Sequence, residues 1–376
     1  MKIVYCIGAL FQAGGTERVL VNKANYFADV LGYEVHILVA NQQDKPFCFE
    51  ISSKVSVHDM SVVQYLRTKK VVKGFSFFQM VLSLRKIYQQ KIDSIQPDVI
   101  SVLELGYDDY LIPALKTHAV KIREIHSSHA AQKKIKLQSG KFSKAFLVLK
   151  LQQYYINKYD AVVLLTQEDS KARTYFKNKY VIPNAIDFGV GGAALESKKA
   201  ISIGRLDEFK NFRDQLIIWK NVVQQHPDWT LHIYGEGIER ITLEKQILDL
   251  NLQNHVFLEG TTQQVKEKLK QSSLFLFTSL AEGFGMVVVE AMQLGLAVVA
   301  YQCPCGPAEI ITNGSDGFLV PIHDLSVFEN HVLNLIQDHT LREKISQMAI
   351  ESSQRFTTAN IIPQWVLLYQ QLLALK

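Results

Sequence analysis

A chain of 376 residues, 48% hydrophobic and 20% charged, is too long for one comfortable core and suits two globular domains of ordinary size. No apolar run is long enough to cross a bilayer, the first residues read as a buried strand and not an export signal, and four cysteines exclude a disulfide framework or structural zinc. The net charge of +5 divides unevenly: residues 1–183 carry +11 and the remainder −6, so the front half calls for an anionic partner or presents a solvated lysine face.

In chain order, KIVYCIGAL predicts a strand, FQAGG a glycine loop, and Thr16 an N-cap for the amphipathic helix ERVLVNKANYFADVL, which stops at Gly32 before the strand EVHILVA. PDVISVLEL and AVKIREIHSS predict further strands with the helical stretch DDYLIPALKTH between them. A basic helix from about Lys144 to Lys158 and the strand AVVLLT follow. Apolar strands alternating with helices imply a parallel sheet covered on both faces. After VIPNAIDF, the small-residue segment GVGGAALESKK reads as an interdomain linker. The strands AISIGRL, TLHIYGEG, HVFLEG, SLFLFTS and LAVVAY then mark a second α/β domain, with DGFLVP as a short late strand or turn. The expected limits are 1–183 and 198–357, and the apolar helix at about 358–376 is expected to pack back on the first domain. Two doubly wound domains facing across a cleft would place ligands at the carboxyl ends of their strands.

The segment EGFGMVVVEAMQLG sets Glu282 and Glu290 around seven residues after a strand. A glycine-flanked loop opening a helix aims backbone N–H groups and a positive helix end at a phosphate. Glu290 falls among apolar residues, so its carboxylate needs donors, which ribose hydroxyls would supply; taken singly, each glutamate also suits an ordinary loop or ion-pair role. Arg205 ends a strand and Lys210 lies beyond a short loop, positions from which two cations converge on one anion. Gly14 and Gly15 allow close backbone approach to a phosphate or sugar, or simply turn the chain between strand and helix. His126 ends a strand, as a ligand contact or a packing residue, with Glu124 in phase on the same strand. Cys303 and Cys305 in CPC read as loop packing.

EGFGMVVVE resembles the E-x7-E motif of glycosyltransferase family 4. GRLDEFKN resembles the family's Gly-Arg…Lys segment, with Gly204, Arg205 and Lys210 in the matching places. PNAID resembles its interdomain P-N-G-[IV]-D with Ala185 for Gly, GGTERV its first loop and helix, and YQCPCGPAEII its D-C-P-x-G-P-x-E-I-I with Gln302 for Asp. The resemblance covers nearly the whole chain. It implies an α/β chain of GT-B type, two Rossmann-like domains, performing retaining transfer of a hexose without metal or other cofactor.

On the matching positions, the resemblance makes Arg205 and Lys210 diphosphate ligands, Glu282 the anchor of the sugar hydroxyls and Glu290 the ribose ligand. The Phe284, Gly285 and Met286 segment meets phosphate and sugar, Gly204 belongs to the donor-binding segment, and His126 meets the transferred sugar; Gly235, which ends another strand, either helps to close the nucleotide pocket or forms an ordinary turn. It further implies a nucleotide-sugar donor, with UDP the expected nucleotide, and a saccharide or polyprenyl-diphosphate-linked acceptor in surface polysaccharide or glycolipid synthesis. Nucleic acid is not an expected partner. The alternatives are a nucleotide-sugar epimerase of the same fold and a non-catalytic sugar-nucleotide-binding protein. Lysines 133, 134, 136, 141, 144 and 150, interleaved with apolar residues, and Arg67, Lys69, Lys70 and Lys73 suggest an anionic membrane surface as a partner, hence a cytoplasmic protein peripheral to the inner membrane face.

Overall fold

The computed structural model describes residues 1–12, 14–62, 77–103, 108–129 and 144–376. The chain divides into two compact units, one of Met1–Ala185 with Thr358–Lys376 and one of Ile186–Thr357.

In the first unit the strands are β1 (Lys2–Ile7), β2 (Glu34–Val39), β3 (Val55–Asp59), β4 (Val99–Val102), β5 (Val120–Ile125), β6 (Ala161–Leu164) and β7 (Lys179–Val181). They form a parallel sheet in the order β3-β2-β1-β4-β5-β6-β7. Ile3 to Ile7 are all buried, as the unbroken apolar run of a strand covered on both faces requires. One face is covered by α1 (Gly15–Asp29), and α2 (Phe77–Ile95), α3 (Asp108–Leu111), α4 (Lys144–Ile156) and α5 (Gln167–Ala172) complete the helices described before the second unit. The last helix of the chain, Thr358–Ala374, returns to this unit and buries Ile361, Trp365, Leu368 and Tyr369 beside α1 and β1.

The second unit holds β8 (Lys199–Ile203), α6 (Phe212–Gln225), β9 (Thr230–Tyr234), α7 (Arg240–Asp249), β10 (Val256–Gly260), α8 (Val265–Lys270), β11 (Leu274–Phe277), α9 (Met286–Leu294), β12 (Ala297–Tyr301), α10 (Pro307–Ile310), β13 (Phe318–Val320), α11 (Leu325–Gln337) and α12 (His339–Ser353). Its sheet is again parallel, in the order β10-β9-β8-β11-β12-β13. The returning C-terminal helix is α13.

Three local expectations change. Helix α1 starts earlier than Thr16: Gly14, extended at φ −95 and ψ 164, is the N-cap, and Glu17 falls at the third helical position. The stretch from Asp108 breaks after α3 into a single 3-10 turn, Ile112–Ala114, because Pro113 has no N–H to continue a helix. Segment 188–194 is not a free tether. The Phe188 N–H donates to Gln293 Oε1 at 2.9 Å, Gly191 to the Gln293 carbonyl at 2.8 Å and Ala194 to the Lys270 carbonyl at 2.8 Å, which straps it onto the second unit. Of the basic residues assigned to a membrane face, Arg67, Lys69, Lys70, Lys73, Lys133, Lys134, Lys136 and Lys141 lie outside the described residues.

Candidate functional site

The strand order of the second unit fixes where a ligand site belongs. From β8 the chain steps outward to β9 and β10; from β11, on the other side of β8, it steps to β12 and β13. Loops leaving β8 and β11 therefore diverge at their carboxyl ends and open a crevice, the place where open parallel sheets bind ligands. The Gly204–Asn211 loop and the Thr278–Gly285 loop are these two segments.

Across this crevice Lys210 Nζ lies 2.5 Å from Glu282 Oε1, with side chains 22% and 13% exposed. Asp207 builds the loop that carries Lys210. Its Oδ1 accepts from the Phe209 and Lys210 N–H groups at 3.0 and 3.2 Å, and its Oδ2 from Arg205 Nε at 2.5 Å. Arg205 is otherwise 75% exposed. Beneath the loop, the Thr278 hydroxyl is shared between the Lys210 and Asn211 carbonyls and accepts from Gln215 Nε2 at 2.9 Å, while Ser202 donates to Gln215 Oε1 at 2.7 Å. A small pocket lined by Ile203, Lys210, Phe212, Phe277 and Thr278 opens beside these groups. A buried polar network with each member satisfied holds both loops in one geometry.

The second loop ends at the N-terminus of α9. Gly285 is its cap at φ 97, a left-handed conformation that favours glycine, and Phe284 is buried against the Phe356 ring at 5.4 Å between centroids. Met286 opens the helix, and Glu290, in its second turn, is 2% exposed. The CPC loop packs alongside: the Glu282 N–H reaches the Pro304 carbonyl at 3.3 Å, and a Cβ on Gly306 would collide with the Phe284 carbonyl. Cys303 and Cys305 are buried free thiols. Burial, and then the charge of Glu282, push the Cys303 thiol well up, so it stays protonated and apolar beside the ion pair.

Gly204 and Gly235 meet where the β8 and β9 loops touch. The Gly204 N–H donates to the Tyr234 carbonyl at 2.9 Å, Gly235 sits at φ 149, and a Cβ there would run into the Gly204 carbonyl. Close backbone packing accounts for Gly235, while a Cβ on Gly204 would press on the Lys210 side chain.

Gly14, Gly15 and His126 belong to the first unit. Gly14 and Gly15 open α1, but the buried Glu17 carboxylate folds back over Gly14 so closely that a Cβ would strike it. The helix end thus carries an anion of its own, which disfavours a second one in the same spot. His126 follows β5, and the loop beyond it is pinned by Asp169, whose Oδ1 accepts from the His129 N–H and whose Oδ2 accepts from Arg173 Nε, both at 2.7 Å. The Arg173 guanidinium also reaches the Ser127 carbonyl at 2.6 Å.

Among the expected site residues, Lys210 and Glu282 are in direct contact. Arg205 shares the Lys210 loop through Asp207, and Phe284, Gly285, Met286 and Glu290 follow Glu282 on the other segment. Asp207, Thr278 and Gln215 carry no expectation from sequence; the one available signal was an Asp two residues from Arg205, too common to select.

Residues 185–352 match the family model described as glycosyl transferases group 1. Over its whole length the chain is 27% identical to an uncharacterized glycosyltransferase of Haemophilus influenzae, with 97% of this chain and 98% of that one covered. It is 28% identical, over the same shares, to the amylovoran biosynthesis glycosyltransferase AmsD of Erwinia amylovora. The crystal structure of a variant of S. aureus TarM in complex with fondaparinux, alpha-GlcNAc-glycerol and UDP superposes with a TM-score of 0.78 at 16% identity, covering 98% of this chain and 100% of that one. That likeness bears out the GT-B fold expected from the sequence. Residues 185–352 are thus similar to the glycosyl transferases group 1 family, and the chain as a whole to proteins named as glycosyltransferases.

Proposed function

We propose that the protein is a retaining, metal-independent hexosyltransferase that takes a sugar from a UDP-sugar and passes it to a saccharide or polyprenyl-diphosphate-linked acceptor in surface polysaccharide or glycolipid synthesis. The observation that carries this reading is the Lys210–Glu282 pair at the switch point of the second sheet, beside the N-terminus of α9 and ahead of the buried Glu290. A cation, a helix N-terminus and two carboxylates suit the parts of a nucleotide sugar: Lys210 and Arg205 for the diphosphate, Glu282 for sugar hydroxyls, Glu290 for the ribose. Charge that grows on the leaving diphosphate as the glycosidic bond breaks falls to Lys210, Arg205 and the α9 amides.

Retention follows from departing and arriving oxygens sharing one face of the sugar, the leaving phosphate oxygen taking the acceptor proton. Glu282 and Glu290 are poor candidates for a glycosidase pair, since Glu290 is buried within α9 while Glu282 is engaged by Lys210. The UDP in the TarM complex and the polysaccharide role in the AmsD name support the choice of donor and acceptor class. The basic first half favours an acceptor anchored at an anionic membrane surface. Proton NMR of the product formed from an α-linked UDP-sugar tests the reaction. An α-glycoside is expected; a β-glycoside contradicts retention, and sugar epimerisation without transfer would replace the reading with the epimerase.

A further inference from the structure

Two carboxylates gather donors from several elements at once. In the first unit, Glu124 of β5 faces the buried Lys23 of α1, whose Nζ lies 2.6 Å from both of its oxygens, and accepts from the Ser101 hydroxyl at 2.6 Å. The Trp365 ring of α13 covers the ammonium, 3.8 Å to its centroid, so this pair belongs to the packing of the first unit. In the second unit, Asp214 stands in the first turn of α6, directly after the Lys210 loop.

One oxygen of Asp214, Oδ2, takes three donors: Asn211 Nδ2 at 2.7 Å, the Tyr301 hydroxyl at 2.7 Å and His323 Nδ1 at 2.9 Å. They come from the end of the Lys210 loop, the end of β12 and the turn after β13. An acidic residue in the first turn of a helix is common, but facing the helix N–H groups would be enough for that role. Here the side chain, 13% exposed, is held from the sheet. Tyr301 is buried, and burial and then the bond to Asp214 push its hydroxyl far above the ordinary phenol range, so it stays a donor. The His323 ring packs edge-on against Tyr301, 6.3 Å between centroids.

What the anchored carboxylate holds in turn is Asn211. This residue caps α6 at φ 48 and ψ 49, a left-handed conformation that is costly with a Cβ and that asparagine enters when its amide finds a local partner. The turn falls at the residue after Lys210, and the Thr278 hydroxyl bonds the carbonyls of both. Lys210 is a point charge on a flexible stem, so its direction depends on how its backbone is held. We propose that Asp214 is a positioning residue for Lys210: by gripping the Asn211 amide it holds the left-handed turn that aims the ammonium across the crevice at Glu282, and so at the donor diphosphate. The ligand in this proposal rests on the glycosyltransferase reading; the aim of Lys210 rests on the geometry of the second unit alone.

Crystal structures of Asp214→Ala and Asn211→Ala need no substrate and test the aim. Position 211 should leave the left-handed region and the Lys210 ammonium should part from Glu282 beyond about 4 Å. A pair unmoved in both variants overturns the proposal. In Asp214→Ala with Asn211→Gly the pair should form again, because glycine takes a positive φ unaided. Kinetics with UDP-glucose or UDP-N-acetylglucosamine tests the consequence. In Asp214→Ala, kcat should fall about ten- to hundred-fold, the scale of a misplaced group, and most of it should return when Asn211→Gly is added. Adding Asp214→Ala to Lys210→Ala should cost nothing further, whereas a merely structural role would give losses that multiply. Multiplying losses, or a fall that Asn211→Gly does not relieve, overturn the positioning role. If Asp214→Ala does not fold, Asn211→Ala carries the structural test and the cycle with Lys210→Ala, since it leaves Asp214 bonded to Tyr301 and His323. If the wild type turns over neither sugar nucleotide, it is the glycosyltransferase reading that fails, and the crystal structures still decide the aim.

Discussion

Lys210 and Glu282 engage each other at 2.5 Å, so a ligand that enters must offer both of them something better. A diphosphate and a sugar hydroxyl, presented together, do that; either alone leaves one charge without its partner. Lys210→Ala and Arg205→Ala should therefore reduce kcat by about 100- to 1,000-fold, the scale of a lost charge-stabilising donor, while Glu290→Ala should chiefly raise KM for the donor. Steady-state kinetics on folded variants checks this, and unchanged kinetics in the double Arg205, Lys210 variant would move the phosphate site elsewhere. Because the pair is partly exposed, its loss should change stability by no more than about 1 kcal/mol.

Lys23 and Glu124 are different: removing one of two buried partners should cost about 3–5 kcal/mol, so Lys23→Met should melt far below the wild type in urea. With its folded pKa of about 2 below the ordinary 4.5, Glu124 contributes stability that is complete above about pH 4.5 and is lost as pH falls toward 2. Acid titration of unfolding should show this limb in the wild type and lose most of it in Glu124→Gln. Lys210 and Glu282 were legible in sequence because they stand in glycine-marked loops after apolar strands. Lys23 was not, since a lysine inside an amphipathic helix reads as solvated and only the tertiary packing of α13 shows it buried.

At the scale of elements, the strands that the sequence marks well are those covered on both faces, such as β1, β6, β11 and β12, whose residues are nearly all apolar. Edge strands β3, with VSVHD, and β7, with KYV, carry too few apolar residues to announce themselves and form by pairing with β2 and β6. The same limit explains segment 188–194, whose small residues imitate a tether although its backbone is hydrogen-bonded to the second unit. Loop contacts matter more than strand interiors for the site. Gly235→Ala must both accept a left-handed backbone and push against the Gly204 carbonyl, so it should destabilise the protein by about 2 kcal/mol or more and weaken donor binding through the Arg205 loop. A urea midpoint within error of the wild type would show that the β8 and β9 loops separate freely.

For the whole molecule the uneven charge is the property most open to test. If the first half, at +11, meets an anionic bilayer as proposed, each basic residue near the surface should contribute on the order of 1 kcal/mol to reversible binding that salt weakens. Sedimentation with phosphatidylglycerol vesicles at low salt should carry the protein down; equal binding to neutral vesicles, or none, would favour a soluble acceptor. In the second unit, Lys210, Glu282 and the α9 N-terminus are proposed to hold a nucleoside diphosphate without a metal. Thermal unfolding in EDTA with UDP and a set of UDP-sugars tests it most directly, because a ligand that binds only the folded state stabilises by about 2.7 kcal/mol at a hundredfold excess over Kd. The expected result is a raised Tm with UDP, a larger rise with one UDP-sugar, and loss of both in Lys210→Ala; no rise in EDTA with one restored by manganese, or a full rise in Lys210→Ala, would refute metal-free binding at this site.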